Sequence, residues 1–183
     1  MRVFLWLFVP CGSLLLAGAC RAQPPPDYRP TATIKDIMDS IVDPSADALW
    51  DSVATTINAA GTEQRAPHTD EEWANLRRRT VQLIEATNLL LIPGRHVARP
   101  GEKAEDPKIE LAPEQIEALM NQDRRTWTSR AYGLQDAAVE AQKAIEARNA
   151  EALLDAGDVL DKACENCHLT YWYPRNPAGA KSQ

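Results

Sequence analysis

From Ile34 to Leu160 apolar side chains recur every three or four residues, and no stretch sustains the alternation of a strand. That period belongs to helices with one buried face. Ile34, Ile37, Met38, Ile41, Val42, Leu49, Val53 and Ile57 draw one apolar stripe. Pro44 stands inside it, yet the stripe keeps its register across the proline. This predicts one helix, kinked at Pro44 and closed at Gly61; two helices, with Asp43 as N-cap of the second, are the alternative. Thr69-Asp70-Glu71-Glu72 is a capping box that opens a second helix, which carries Trp73, Leu76, Leu83, Ile84 and Leu90 and stops before Pro93-Gly94. A polar loop with Pro100, Gly101 and Pro107 follows. Pro113 opens a third helix at a position that tolerates proline. It is expected to run to about Arg148 with Ile116, Leu119, Met120, Trp127, Leu134, Ala138, Ala141 and Ile145 on its apolar face. Asn149 caps a fourth, with Leu153, Leu154, Val159 and Leu160. No sheet is expected. Four amphipathic helices with mostly short connections predict an all-α fold, an antiparallel four-helix bundle.

The first residues read as an export signal. Arg2 gives a positive start, Val3 to Leu16 is largely apolar, and Ala17, Gly18 and Ala19 are small. The run is short for a membrane span, which needs ~20 residues, so residues 1–19 are read as a signal peptide and not as an uncleaved anchor. Leu16-Ala17-Gly18-Ala19-Cys20 resembles a bacterial lipoprotein signal, in which Cys20 becomes the lipidated first residue. Ala17 stands where such signals carry a large aliphatic residue, and plain cleavage after Ala19 or Ala22 fits as well. Residues 20–30 form a Pro-rich linker whose Pro24-Pro25-Pro26 favours a stiff extended spacer. The domain spans 31–175, with a tail at 176–183. The expected location is the periplasm, with Cys20 as the candidate lipid anchor. At 44% hydrophobic and 25% charged residues the chain is an ordinary globular one, and its net charge of −6 argues against nucleic acid as a partner.

Of four cysteines, Cys11 lies in the signal and Cys20 at its edge, so only Cys164 and Cys167 belong to the domain. This is no disulfide framework. They stand in Cys164-Glu165-Asn166-Cys167-His168, at the end of the fourth helix, and C-x-x-C-H is the attachment signature of a c-type haem. Two thiols at this spacing can add to the two vinyl groups of one haem, and the adjacent imidazole can then reach its iron. The other ring nitrogen of His168 needs a hydrogen-bond partner to fix its orientation. Other readings of the pair fit less well. A thioredoxin-type pair expects a strand-to-helix setting. A zinc site lacks two ligands, since His68 and His96 fall in predicted loops. A structural disulfide remains compatible with an oxidising compartment.

These features resemble the class II cytochromes c, the cytochrome c-prime and cytochrome c556 group, over about Thr31 to Tyr173. The resemblance rests on the late Cys164-Cys167-His168, on the helix that bears it, and on a helical first segment with Met38. It implies a four-helix bundle with one covalent haem c near its C-terminal end, and a first-helix side chain over the distal face of the iron. Met38 is the candidate for that side chain, because it lies on the apolar face and a thioether suits electron transfer; Met120 is the rival, and core filler the alternative role. Tyr171 matches the aromatic that such proteins often carry three residues after the histidine, while Trp172 replaces their usual basic residue. Both are candidate haem contacts. Trp50, Trp73 and Trp127 wall the haem or belong to the core. Arg77-Arg78-Arg79 meets propionates or an acidic partner, or is a solvated face.

The function implied is a periplasmic monohaem cytochrome that passes single electrons between redox partner proteins, with no catalytic residues. A five-coordinate haem protein that binds nitric oxide or carbon monoxide is the alternative, and a disulfide-bearing export subunit a third. A homodimer is compatible with the resemblance.

Overall fold

The first helix is opened by Thr33, whose hydroxyl accepts from the Asp36 N–H (3.0 Å) while the Asp36 carboxylate accepts from the Thr33 N–H (2.9 Å). This reciprocal pairing satisfies two donors that a helix start otherwise leaves bare. The structure is a computed structural model that describes residues 28–59 and 61–174. The expected signal at 1–19, the candidate anchor Cys20 and the tail at 176–183 lie outside the described residues. From Thr33 the chain forms α1 (Ile34–Ile37), a π-turn (Met38–Val42) and α2 (Asp43–Trp50) without a break.

Pro44 explains the π-turn. Proline has no N–H, and its ring collides with the carbonyl one turn back. Here the ladder widens to admit one extra residue, and the Asp43 N–H donates to the Met38 carbonyl. Asp43 itself keeps helical angles (φ −59°, ψ −52°), so it is not the N-cap of a separate helix.

The helix stops at Trp50 and not at Gly61, and a sheet is present where none is expected. β1 (Ala54–Asn58) pairs antiparallel with β2 (Gly61–Arg65), in a register that runs from Ala54↔Arg65 to Asn58↔Gly61. Thr55, Thr56 and Ile57 are β-branched, which favours the extended chain, and Gly61 takes a φ of +130° that a side chain would resist. Ile57 extends the apolar stripe in sequence only. It is 79% exposed, whereas Val53 is buried.

α3 (Asp70–Leu90) starts at Thr69 with the expected capping box, Glu72 closing it. Trp73, Leu76, Leu83 and Leu90 are buried, together with Thr80 and Thr87, whose hydroxyls donate to the carbonyls of Leu76 and Ile84. The long helix expected from Pro113 to Arg148 is two. α4 (Pro113–Gln122) ends at Asp123, which leaves helical angles (φ −134°, ψ 74°) and caps α5 (Arg124–Glu146) by accepting from the Thr126 N–H and hydroxyl. α6 (Ala150–Tyr171) starts at Asn149 as expected. Leu153 and Leu160 are buried, but Leu154 and Val159 face solvent.

The fold is mostly helical, in keeping with the all-α expectation, with the hairpin as its departure. α5 packs along both α6 and α3, while α2 packs on α3 and meets α6. Ile34, Leu49, Leu83, Trp127 and Leu160 are among the side chains sealed between them. Trp127 sits at the junction: its indole N–H donates to the Leu90 carbonyl and its ring meets Tyr171 edge-on, 5.2 Å between centroids.

The connection from α3 to α4 serves both ends of this arrangement. The Ile34 and Lys35 N–H groups, in the first turn of α1, donate to the carbonyls of His96 and Val97 (2.9 and 3.0 Å). Arg99 pairs with Asp36 and Lys35 with Glu105. At the other end the Leu111 N–H donates to the Trp172 carbonyl (2.8 Å), just beyond α6. The start of α1 and the end of α6 are thus held on one connecting segment.

Candidate functional site

On a helix, residues three, four and seven apart share a face. Cys164, Cys167, His168 and Tyr171 have these spacings along α6. Cys164 and Cys167 are free thiols, half-buried. Both border a cavity of about 390 Å³, together with His168. A volume of this order suits a small-molecule or cofactor site (~300–1,000 Å³). Met38 and Val42 of the π-turn and Trp50 of α2 contribute a second wall, and Trp127, Arg130 and Leu134 of α5 a third. The lining is predominantly apolar.

Met38, Asp43, His168 and Tyr173 also border a second cavity of about 180 Å³, which faces the connecting segment around Lys103 and Glu105. His168 therefore stands where the two meet.

The structure sorts the remaining candidates. Tyr171 turns into the core, 2% exposed, against Trp127. Trp172 borders the smaller cavity, its ring 6.0 Å from that of His168. Trp50 and Trp127 line the larger cavity, whereas Trp73 belongs to the core at the start of α3. Met120 is core as well. His68 and His96 are exposed, and His96 Nδ1 lies 3.1 Å from Glu117. The three arginines engage local polar partners on α3 and Glu146, as a solvated face does.

Burial governs the site's electrostatics. It pushes the Cys164 thiol up to about 12, and the charges of Asp43, Cys167 and Asp161 add to the effect. It pushes Cys167 up to about 11, against the opposing pull of Arg130. Both therefore stay protonated at neutral pH. A disulfide-exchange pair calls for the reverse, a lowered thiol. Asp43 is raised above the ordinary carboxylate range by desolvation, with His168 opposing. Tyr173 is pushed up to about 12 by burial first and then by its hydrogen bond to Glu165.

Two buried polar atoms near the thiols have no hydrogen-bond partner among the described residues: Arg130 Nε and Tyr171 Oη. A buried N–H without an acceptor is costly, although Arg130 as a whole is only half-buried. Arg130 lines the larger cavity, so a ligand with an acidic group would complete it. Sequence reasoning overlooked Arg130, although a signal was present: it lies three residues after Trp127 and four before Leu134, a charge on an apolar stripe. By sequence Asp43 is a candidate cap only, and no role attaches to Glu165 or Tyr173.

This donor set suits a covalent haem. It offers two protonated thiols and an imidazole on one helical face, a largely apolar cavity beside them whose lining includes a thioether, and an arginine whose buried Nε lacks an acceptor. No helix among the described residues is long and apolar enough to cross a membrane. Comparison with family models, with curated proteins and with solved structures returned no match.

Proposed function

We propose that this chain is a monohaem c-type cytochrome that carries single electrons between partner proteins outside the cytoplasm. The reading rests on one observation above all: Cys164, Cys167 and His168 open onto a single apolar cavity whose lining also includes Met38. With it goes the finer description of the fold as an antiparallel four-helix bundle of the class II cytochrome type, in which the π-turn segment, α3, α5 and α6 are the four members.

Covalent haem supplies a one-electron iron couple, which the protein tunes through axial ligands, burial and nearby charge. The chain's own groups have separable tasks. Cys164 and Cys167 would hold the group as thioethers, each S–H being added across a vinyl double bond, sulfur to one carbon and hydrogen to the other, with no leaving group and no oxidant needed. His168 would offer a ring nitrogen to the iron. Met38 would offer a thioether from the cavity lining, a pairing that would favour the ferrous state. Val42, Trp50, Trp127 and Leu134 keep water out, and Arg130 neutralises an acidic substituent. The mature protein is free in the periplasm or tethered through Cys20.

Denaturing electrophoresis with haem staining tests the attachment. The wild-type band stains, and the Cys164→Ala/Cys167→Ala double variant does not. Haem that is extracted from the wild type by acidified acetone would refute the assignment. On the holoprotein a low-spin spectrum in both redox states supports electron transfer, while a high-spin ferrous form that takes up carbon monoxide supports the gas-binding alternative.

A further inference from the structure

We infer that Glu165 and Tyr173 form a hydrogen-bond chain onto His168 that orients its ring and lowers the reduction potential of the group it holds. The inference rests on the cytochrome reading and adds to it the two residues that act behind His168.

The geometry comes from the way α6 ends. The N–H groups of Trp172 and Tyr173 both donate to the His168 carbonyl, at 2.7 and 3.0 Å. This double turn folds the chain back, so that Tyr173 stands beside the last turn it has just left. Its ring meets the His168 ring edge-on, 5.8 Å between centroids and 62° between planes. Its hydroxyl donates to Glu165 Oε2 at 2.9 Å. The Tyr173 hydroxyl oxygen itself lies 3.5 Å from His168 Nδ1. Glu165 is a spacer residue of the pentapeptide, three before His168 and on an adjacent part of the same helical turn.

The direction of each hydrogen bond follows from the chemistry. An ionised carboxylate only accepts, so the tyrosine proton points to Glu165. The tyrosine oxygen keeps lone pairs, and the group available to it on His168 is Nδ1–H. That bond fixes the tautomer and leaves Nε2 as the unprotonated nitrogen. A carboxylate acting through a hydroxyl draws the Nδ1 proton outward and makes the imidazole the stronger donor. A stronger donor favours ferric over ferrous iron. Glu165 and Tyr173 thereby oppose Met38, whose thioether favours the ferrous form.

The order of the chain makes a specific forecast, since Glu165 acts only through Tyr173. The test is a spectroelectrochemical titration of the purified holoprotein, the Tyr173→Phe and Glu165→Gln variants and their double, at one pH and ionic strength. Each single variant is expected to shift the ferric/ferrous balance about tenfold toward ferrous, ~59 mV upward for one electron. The double variant should match Tyr173→Phe alone, because the two substitutions cut the same chain. Unmoved potentials in the singles, or shifts that add in the double, would overturn the inference. Glu165 is exposed, so Glu165→Gln leaves the packing intact and reads the chain even where Tyr173→Phe fails to mature. Haem content is measured first on every sample. A wild type without covalent haem defeats the cytochrome reading and this inference together; full haem content with unmoved potentials defeats this inference alone.

Discussion

Met38, at the start of the π-turn, and His168, near the end of α6, border the same two cavities. Topology alone brings them together, because the segment from His96 to Leu111 ties the first turn of α1 and the residue beyond α6 to itself. In the proposed cytochrome, the Met38 thioether and the His168 imidazole, which line the same cavities, would be the two side chains that hold the iron. Met38→Ala is therefore expected to turn the spectrum high-spin, admit carbon monoxide and lower the potential by a shift of about tenfold or more in the ferric/ferrous balance. Optical spectra of both redox states check this. An unchanged spectrum and potential would make Met38 core filler.

Arg130 brings a charge into the cavity with its Nε unpartnered among the described residues. Arg130→Met removes that unsatisfied donor. In holoprotein, where an acidic substituent completes the pair, the substitution should destabilise by ~1.5–3 kcal/mol, the range for a hydrogen bond to a charged group. In chain prepared without cofactor it should be neutral or stabilising. Denaturant unfolding of the two preparations checks the change of sign. The same sign in both would separate Arg130 from the cofactor.

Asp43 gives the fold a pH dependence of defined direction. Desolvation raises its carboxyl above the ordinary value of 3.8, so over that window the folded chain holds a proton that the unfolded chain has released. Its contribution is fully present below the ordinary value and is lost as the pH rises through the raised one. Asp43→Asn removes this dependence. The variant should gain on the wild type as the pH increases, with the full gain present at neutral pH. Melting curves from roughly pH 3 to pH 8 check it, and a gap between the two proteins that widens toward acid would contradict it.

Gly157 sits under Trp50. A Cβ at this position would stand 3.2 Å from Trp50 Cδ1, and the Gly157 carbonyl accepts from the Trp50 indole N–H at 3.1 Å. Gly157→Val is expected to displace the indole from the cavity wall and to cost ~1–3 kcal/mol through overpacking. The denaturation midpoint and the tryptophan emission should shift together.

Local chemistry was legible in the sequence wherever it was self-sufficient. Thr69 with Glu72 and Asn149 open their helices as read, because a cap needs only its own first turn. The thiols and His168 share a face because spacing on one helix guarantees it. What went unread depended on distant packing or on a competing local preference. Ile57 matched the helical stripe by spacing, while Thr55, Thr56 and Gly61 already favoured a hairpin. The break at Asp123 was masked by apolar residues that continue from Met120 to Trp127 on either side of it. Pro44 announced a distortion, but whether a helix answers proline by stopping, kinking or widening depends on what its two halves pack against. The burial of Arg130 Nε and the return of Tyr173 to His168 come from the tertiary fold, beyond the reach of any periodicity.

The clasp between Leu111 and Trp172 also has a meaning in time. A chain is made from its N-terminus onward, so the cysteines appear after every other wall of the cavity has been synthesised. Closing long intervals of chain is slow, because the entropy of each loop is lost before distant contacts compensate for it. During that interval Cys164, Cys167 and His168 are an accessible segment on an unfinished helix. Once the helix docks and the clasp forms, the same thiols are half-buried and held in their protonated form. For the proposed cytochrome, the birth order of the walls would favour joining the haem to these cysteines before the molecule closes around them.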